Sequence, residues 1–226
     1  MLVLSLFPGI GLLDMAFEEE GFCVVRGPDL LWGGDVKRFH PPAGRFDGVI
    51  GGPPCQEFSP AGQITKPDQN RNLIPEFERV VLDAQPGWFL MENVRRAPAP
   101  KVSGYMVHCL LLNNRWFGEE QNRERRFSFG TRTGKALIIP GDLLAIFESP
   151  IFESCAMASE GKTGRTLRGP YLPRRGWNEF CKLQGLSGEF LKDAPFTLEA
   201  KYKAVGNGVP LPMGRAIARA VREATK

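Results

Sequence analysis

Short uninterrupted apolar runs alternate with stretches of helical periodicity over the first 130 residues, and few architectures accommodate that order. Leu2–Phe7 suits a central parallel strand buried on both faces. It lacks a basic leader and a small-residue cleavage site, so it reads as core rather than a signal peptide. In Gly11–Glu20, Leu12, Leu13, Met15, Ala16 and Phe17 form a helical apolar face that stops at Gly21. Phe22–Val25, Gly48–Ile50 and Trp88–Met91 read as further strands, with Leu73–Ala84 a helix between the last two. Tyr105–Leu112 sits in another helical stretch, and Arg126–Phe129 is strand-like. Strands alternating with helices predict a doubly wound α/β sheet.

The pattern loosens from Thr131. Ala136–Ile139 reads as a short strand, Ala158–Arg175 as a basic loop, Gly176–Leu183 as a short helix and Pro210–Ala224 as a long one. The predicted organisation is an α/β domain over residues 1–130, a small basic lobe over 131–175, and a segment over 176–226 that returns to the domain. A chain of 226 residues has room for one core and a small lobe. Its apolar share, 42%, excludes disorder, and no apolar run approaches the ~18 residues of a membrane helix. Five scattered cysteines without a C-x-x-C pair argue against a disulfide scaffold or zinc ribbon and for a reducing cytosol. Two histidines leave little for a metal site, and none is expected. Residues 1–120 hold 11 Lys and Arg against 15 Asp and Glu, whereas residues 121–226 hold 18 against 10. That asymmetry favours a polyanion docking on the C-terminal half.

Phe7-Pro8-Gly9-Ile10-Gly11 joins the first strand to its helix. Glycines there let a backbone approach a nucleotide-like cofactor at the strand's carboxyl end, although such turns also need glycine for purely steric reasons. Gly51-Gly52-Pro53-Pro54-Cys55-Gln56-Glu57-Phe58-Ser59 follows the third strand. A cysteine at a sheet mouth on a rigid Pro-Pro turn is placed like a nucleophile, whereas Cys23 and Cys109 read as small buried hydrophobes. Taken alone, Glu92-Asn93-Val94 is a strand terminus with a cap, and Arg123, Arg125 and Arg126 are the charges of a surface strand.

Together these runs resemble, in order, the motifs of the cytosine-C5 DNA methyltransferase family. Pro53-Pro54-Cys55-Gln56-x-Phe58-Ser59 is similar to its catalytic loop, and Phe7-x-Gly9-x-Gly11 to its cofactor motif. Glu92-Asn93-Val94 resembles its cytosine-binding motif and Gln121-x-Arg123-x-Arg125 its arginine motif. Trp177–Phe190 resembles the helix that organises the recognition region, and Gly206-Asn207-Gly208-Val209-Pro210 the motif completing the cofactor pocket. The resemblance runs from Ser5 to about Val221 and implies a Rossmann-like, S-adenosylmethionine-dependent methyltransferase sheet with a small basic target-recognition lobe. It implies a catalytic set of Cys55, Glu92, Arg123 and Arg125, with Arg125 facing the base and Arg123 bracing Glu92 or the catalytic loop. The implied cofactor contacts are Phe7, Gly9, Gly11, Leu12, Pro54, Asn207 and Val209, with Asp29 for the ribose and Asp35 for the adenine amine. Either aspartate could equally be an ordinary surface carboxylate. Substrate contacts fall to Gln56, Ser59, Asn93, Val94, Arg165, Arg168, Arg174 and Arg175.

Three departures stand out. Leu12 occupies a position where the family usually continues with glycine, the chain between the second strand and Gly51 is short and leaves the acidic ribose contact open, and the recognition lobe is much shorter than is common. The resemblance implies methylation of double-stranded DNA in a bacterial or phage cytoplasm, near the nucleoid, beside a cognate restriction endonuclease or a partner methyltransferase subunit. Two other readings share these motifs: a tRNA-directed cytosine-C5 methyltransferase, and an inactive relative that binds DNA or a partner.

Overall fold

The computed structural model describes residues 1–54, 72–139, 153–163 and 173–226. Its strands are β1 (Leu2–Leu6), β2 (Cys23–Arg26), β3 (Gly48–Gly51), β4 (Trp88–Asn93), β5 (Met106–Asn113) and β6 (Glu124–Thr131). Its helices are α1 (Leu12–Glu19), α2 (Ile74–Ala84), α3 (Glu160–Thr163), α4 (Trp177–Leu183), α5 (Leu198–Asn207) and α6 (Leu211–Ala224). The sheet order is β2-β1-β3-β4-β6-β5. Parallel pairing runs from β2 through β4, and β6 lies antiparallel to both β4 and β5.

Strand alternation divides the apolar residues between two cores, because successive Cβ atoms point to opposite faces. Val3, Ile50, Trp88 and Leu90 enter the core shared with Phe17 of α1 and Met213, Ile217 and Val221 of α6. Leu4, Leu6, Val49, Phe89 and Met91 enter the other, filled by Phe77, Val80 and Val81 of α2. A third, smaller core joins Ala156, Phe180, Leu183, Tyr202 and Val205. The α/β reading is correct, with helices on both faces of the sheet.

Three local expectations fail. Tyr105–Leu112 is not helical: Met106–Asn113 pairs along its whole length with β6 at the sheet edge. Its leucines carry helix propensity, but that preference is under 1 kcal/mol per residue and a complete ladder overrides it. Ala136–Ile139 forms no strand, and Ile138 is 86% exposed. Cys23 and Cys109 are exposed, and among the described residues the buried thiol is Cys181.

The charge asymmetry is partly neutralised within the fold. Arg215 meets Glu19 at 2.5 Å, and Arg219 and Arg222 meet Glu20 at 3.1 and 3.7 Å. The basic face of α6 therefore answers the acidic end of α1. Among the described residues no helix is long and apolar enough to cross a membrane.

Candidate active site

The chain leaves β1 for β2 on one side and returns to β3 on the other. A crevice at such a reversal, outside the strands' carboxyl ends, is where open α/β sheets bind ligands. A cavity of about 720 Å³ lies there, lined from Phe7–Ile10, Gly51–Pro54, Glu92–Val94, Asp29–Leu31 and α5. That volume is within the range of small-molecule sites.

One wall is a loop of unusual backbone. Phe7, Gly9 and Gly11 have φ of 55°, 56° and 81°. For Phe7 this left-handed conformation costs about 1–2 kcal/mol. Neighbouring groups hold the loop: Gly9 N donates to Asp29 Oδ2 at 2.8 Å, and Trp32 Nε1 donates to Gly9 O at 2.7 Å. Leu31 N donates to Asp29 Oδ1 at 2.7 Å. A Cβ on Gly9 would meet nothing within 4 Å, so this backbone borders open space.

The next wall carries charge. Glu92, near the end of β4, receives Arg125 Nε at 2.8 Å. Burial pushes the Glu92 carboxyl above the ordinary range, and Arg125 followed by Arg123 works against that shift. Burial lowers Arg125 to about 10, with Arg123 adding to the effect and Glu92 opposing it. A Cβ at Gly52 would lie 3.0 Å from Glu92 Oε2, so glycine leaves this carboxylate its room. Asn93 Nδ2 donates to Pro53 O at 3.1 Å and ties the Pro-Pro turn to β4.

Arg123 does not brace Glu92. Its buried guanidinium donates from Nη1 to Ala156 O at 3.0 Å, and from Nη2 to Gly206 O and Gly208 O, each at 2.9 Å. Nη1 also meets Cys155 Sγ at 2.9 Å. A planar fork of donors suits this linking of separate backbone segments. Arg123 thus staples β6 to the α5–α6 junction, and the contact to Glu92 belongs to Arg125.

Phe7, Gly9, Leu12, Asp29, Pro54, Asn207 and Val209 line the cavity, together with Glu92, Asn93, Val94 and Arg125. Gly11 lies at its edge as the N-cap of α1 and is not among the lining residues. Asp35 does not line it either: its Oδ1 accepts Lys37 N at 3.0 Å and caps the turn Val36–Arg38. The glycine missing at Leu12 has a counterpart. Leu12 is buried against Gly208, where a Cβ would lie 2.5 Å from Leu12 Cδ1.

Sequence reasoning missed Leu30, Leu31 and the α5 face of Ala200, Lys203 and Ala204. Thr197 was the available signal for α5, since its hydroxyl caps Ala200 N at 3.2 Å. Asp14 was missed too. Ser5 Oγ donates to its Oδ1 at 2.5 Å, Arg26 Nε meets its Oδ2 at 3.1 Å, and burial pushes its carboxyl up.

Cys55, Gln56, Ser59, Arg165 and Arg168 lie outside the described residues. Arg174 is exposed, with its guanidinium 5.6 Å from the Tyr202 ring. Arg175 cannot grip phosphate. Its side chain is fully buried, with Nη1 on Glu160 Oε2 at 2.9 Å and Nη2 on Glu153 Oε2 and Ser154 O, each at 3.0 Å. Arg175→Ala would strand the buried Glu160 and is expected to lower unfolding free energy by about 3–5 kcal/mol in urea titrations. A loss below 1 kcal/mol would show the network to be dispensable. Among the described residues, no three His, Cys, Asp or Glu side chains converge as a metal site.

Residues 34–157 match the family model described as C-5 cytosine-specific DNA methylase. The type II methyltransferase M.FnuDI of Fusobacterium nucleatum is 35% identical over 162 residues, covering 58% of this chain and 47% of the relative. M.AquIA of Picosynechococcus sp. is 41% identical over 187 residues, covering 61% of this chain and 75% of the relative. The chain spans about half the length of several curated relatives that it matches. The fold is shared with the Entamoeba histolytica methyltransferase EhMeth, with a TM-score of 0.70 at 13% identity. That alignment covers 100% of this chain and 99% of the other.

Proposed function

The chain belongs to the C-5 cytosine-specific DNA methylase family, and we propose that it methylates C5 of cytosine in double-stranded DNA using S-adenosylmethionine. The observation that carries this reading is the meeting of the Glu92–Arg125 pair, the Pro53-Pro54 turn and the Gly9–Asp29 loop in one cavity. The cavity's size, the open backbone at Gly9 and the mixed lining of Asp29, Leu30 and Leu31 fit that cofactor. Phe7, Gly9, Asp29, Asn207 and Val209 would hold it. When bound, it supplies an electrophilic methyl group on a sulfonium.

Cytosine C5 is a weak nucleophile. Addition of the Cys55 thiolate to C6 gives an enamine whose C5 is reactive, which divides one hard step into two. Glu92 gives a proton to N3, drawing electron density from C6, and burial favours the protonated form of its carboxyl by pushing it above the ordinary range. Arg125 holds the Glu92 carboxyl in place against the base edge. After methylation, loss of the C5 proton to solvent, expulsion of the Cys55 thiolate and return of the N3 proton to Glu92 restore the ring and the catalyst. A stacked base cannot present C6 to a thiol, so the target nucleotide leaves the duplex. Arg174 remains available on the surface for a phosphate, with Arg165 and Arg168 its partners in that role. In the cell, this activity would stand beside a cognate restriction endonuclease or a second methyltransferase subunit.

The test is transfer of a radiolabelled methyl group to duplex DNA and, in parallel, to tRNA. Label recovered as 5-methylcytosine from DNA alone supports the proposal. Label recovered only from tRNA moves the substrate to RNA, and none from either leaves a binding protein.

A further inference from the structure

The cavity's charged groups are nearly all engaged. Glu92 is paired with Arg125, and Asp14 with Ser5 and Arg26. Asp29 receives two backbone amides. Lys203 is the exception: it lines the cavity and, among the described residues, makes no ion pair. Its position is built by α5, where Ala200, Lys203, Ala204 and Asn207 recur at helical spacing and form one wall. The two alanines keep that wall low, so the lysine and asparagine are its polar features. Thr197 caps the helix, and the Arg123 staple fixes its far end through Gly206 O.

Resting on the function proposed above, we infer that Lys203 binds the amino-acid carboxylate of the cofactor and thereby sets which way round it lies. Charge sorts the alternatives. The cofactor carries hydroxyls and an apolar ring at one end and an anionic carboxylate at the other. Asp29, beside Leu30 and Leu31, suits the hydroxyls and the ring but repels an anion. Glu92 repels it as well whenever it is ionised. Arg125 is already committed to Glu92, which leaves Lys203 to receive the carboxylate. A lysine, as a point charge on a flexible stem, can reach such a group without fixed geometry. Sequence motifs do not reveal this role, because Lys203 precedes the Gly206–Pro210 run that carries the resemblance.

Two probes separate the carboxylate from the rest of the cofactor. S-adenosylhomocysteine has it, whereas 5′-methylthioadenosine keeps the adenosine and sulfur but lacks the amino acid. Calorimetry on the full chain is expected to show Lys203→Met weakening S-adenosylhomocysteine by on the order of tenfold, the scale of one charge-assisted hydrogen bond. Binding of 5′-methylthioadenosine should be unchanged, and Lys203→Arg should restore most of the lost affinity. Equal weakening of both probes, or of neither, overturns the inference while leaving the proposed function intact. If the unaltered protein binds neither probe, the cofactor assignment itself falls, and this inference with it.

Discussion

Cys55→Ala should abolish methyl transfer, by at least ~10⁴-fold in single-turnover rate, while leaving S-adenosylhomocysteine affinity unchanged. The size follows from the chemistry. Without a thiolate at C6 there is no enamine, and removing the nucleophile of a covalent mechanism costs far more than removing a binding contact. Cys55 itself lies outside the described residues, but the turn leading to it is anchored on two sides. Asn93 Nδ2 donates to Pro53 O at 3.1 Å, and Leu73 N donates to Pro54 O at 3.0 Å. Duplex DNA carrying 5-fluorocytosine gives a second readout, because fluorine at C5 cannot leave as a proton does. The unaltered protein should form an adduct stable to denaturing electrophoresis, and Cys55→Ala should form none. An adduct of equal yield with the variant would assign the nucleophile elsewhere.

What the sequence disclosed, and what it withheld, follows from the range over which each signal acts. β1, α1, β3 and β4 were legible because each buries a whole face, and the apolar period records that burial directly. β5 was misread because an edge strand buries little. Met106, His108 and Cys109 are exposed, so only the ladder to β6, made by residues some 20 positions away, reveals it. Glu92 and Arg125 were legible as motif residues, but their pairing depends on the antiparallel register of β4 with β6. The separate roles of Arg123 and Arg125 follow from the same strand geometry. Arg123 precedes β6 and turns toward the α5–α6 junction, whereas Arg125 lies within the strand beside Glu92. Arg175 shows the converse error. A basic run reads as a solvated surface, yet burying one arginine needs only a buried carboxylate from elsewhere in the chain, here Glu160.

The second large effect is expected at Glu92. Glu92→Gln should lower the single-turnover rate by at least ~10²-fold, the scale of general acid–base assistance, with little change in duplex affinity. The amide can still donate a hydrogen bond to the base but has no proton to give. The pH dependence separates these two contributions. Burial raises the Glu92 carboxyl from its ordinary 4.5, so its proton is lost at a higher pH than that of an exposed glutamate. The rate should therefore fall as pH rises through that higher value, and the Gln variant should lack this alkaline limb. Stability has the same sign. Between the ordinary and the raised value the fold binds a proton that the unfolded chain releases, so this group's contribution to stability decreases as pH rises. A structural explanation must also be met, because Glu92→Gln leaves the buried Arg125 without its counter-charge. Unchanged S-adenosylhomocysteine binding by the variant would show that the cavity survives and that the lost rate is chemical. A variant with near-normal rates and an intact alkaline limb would remove Glu92 from proton transfer and leave it only the task of holding Arg125.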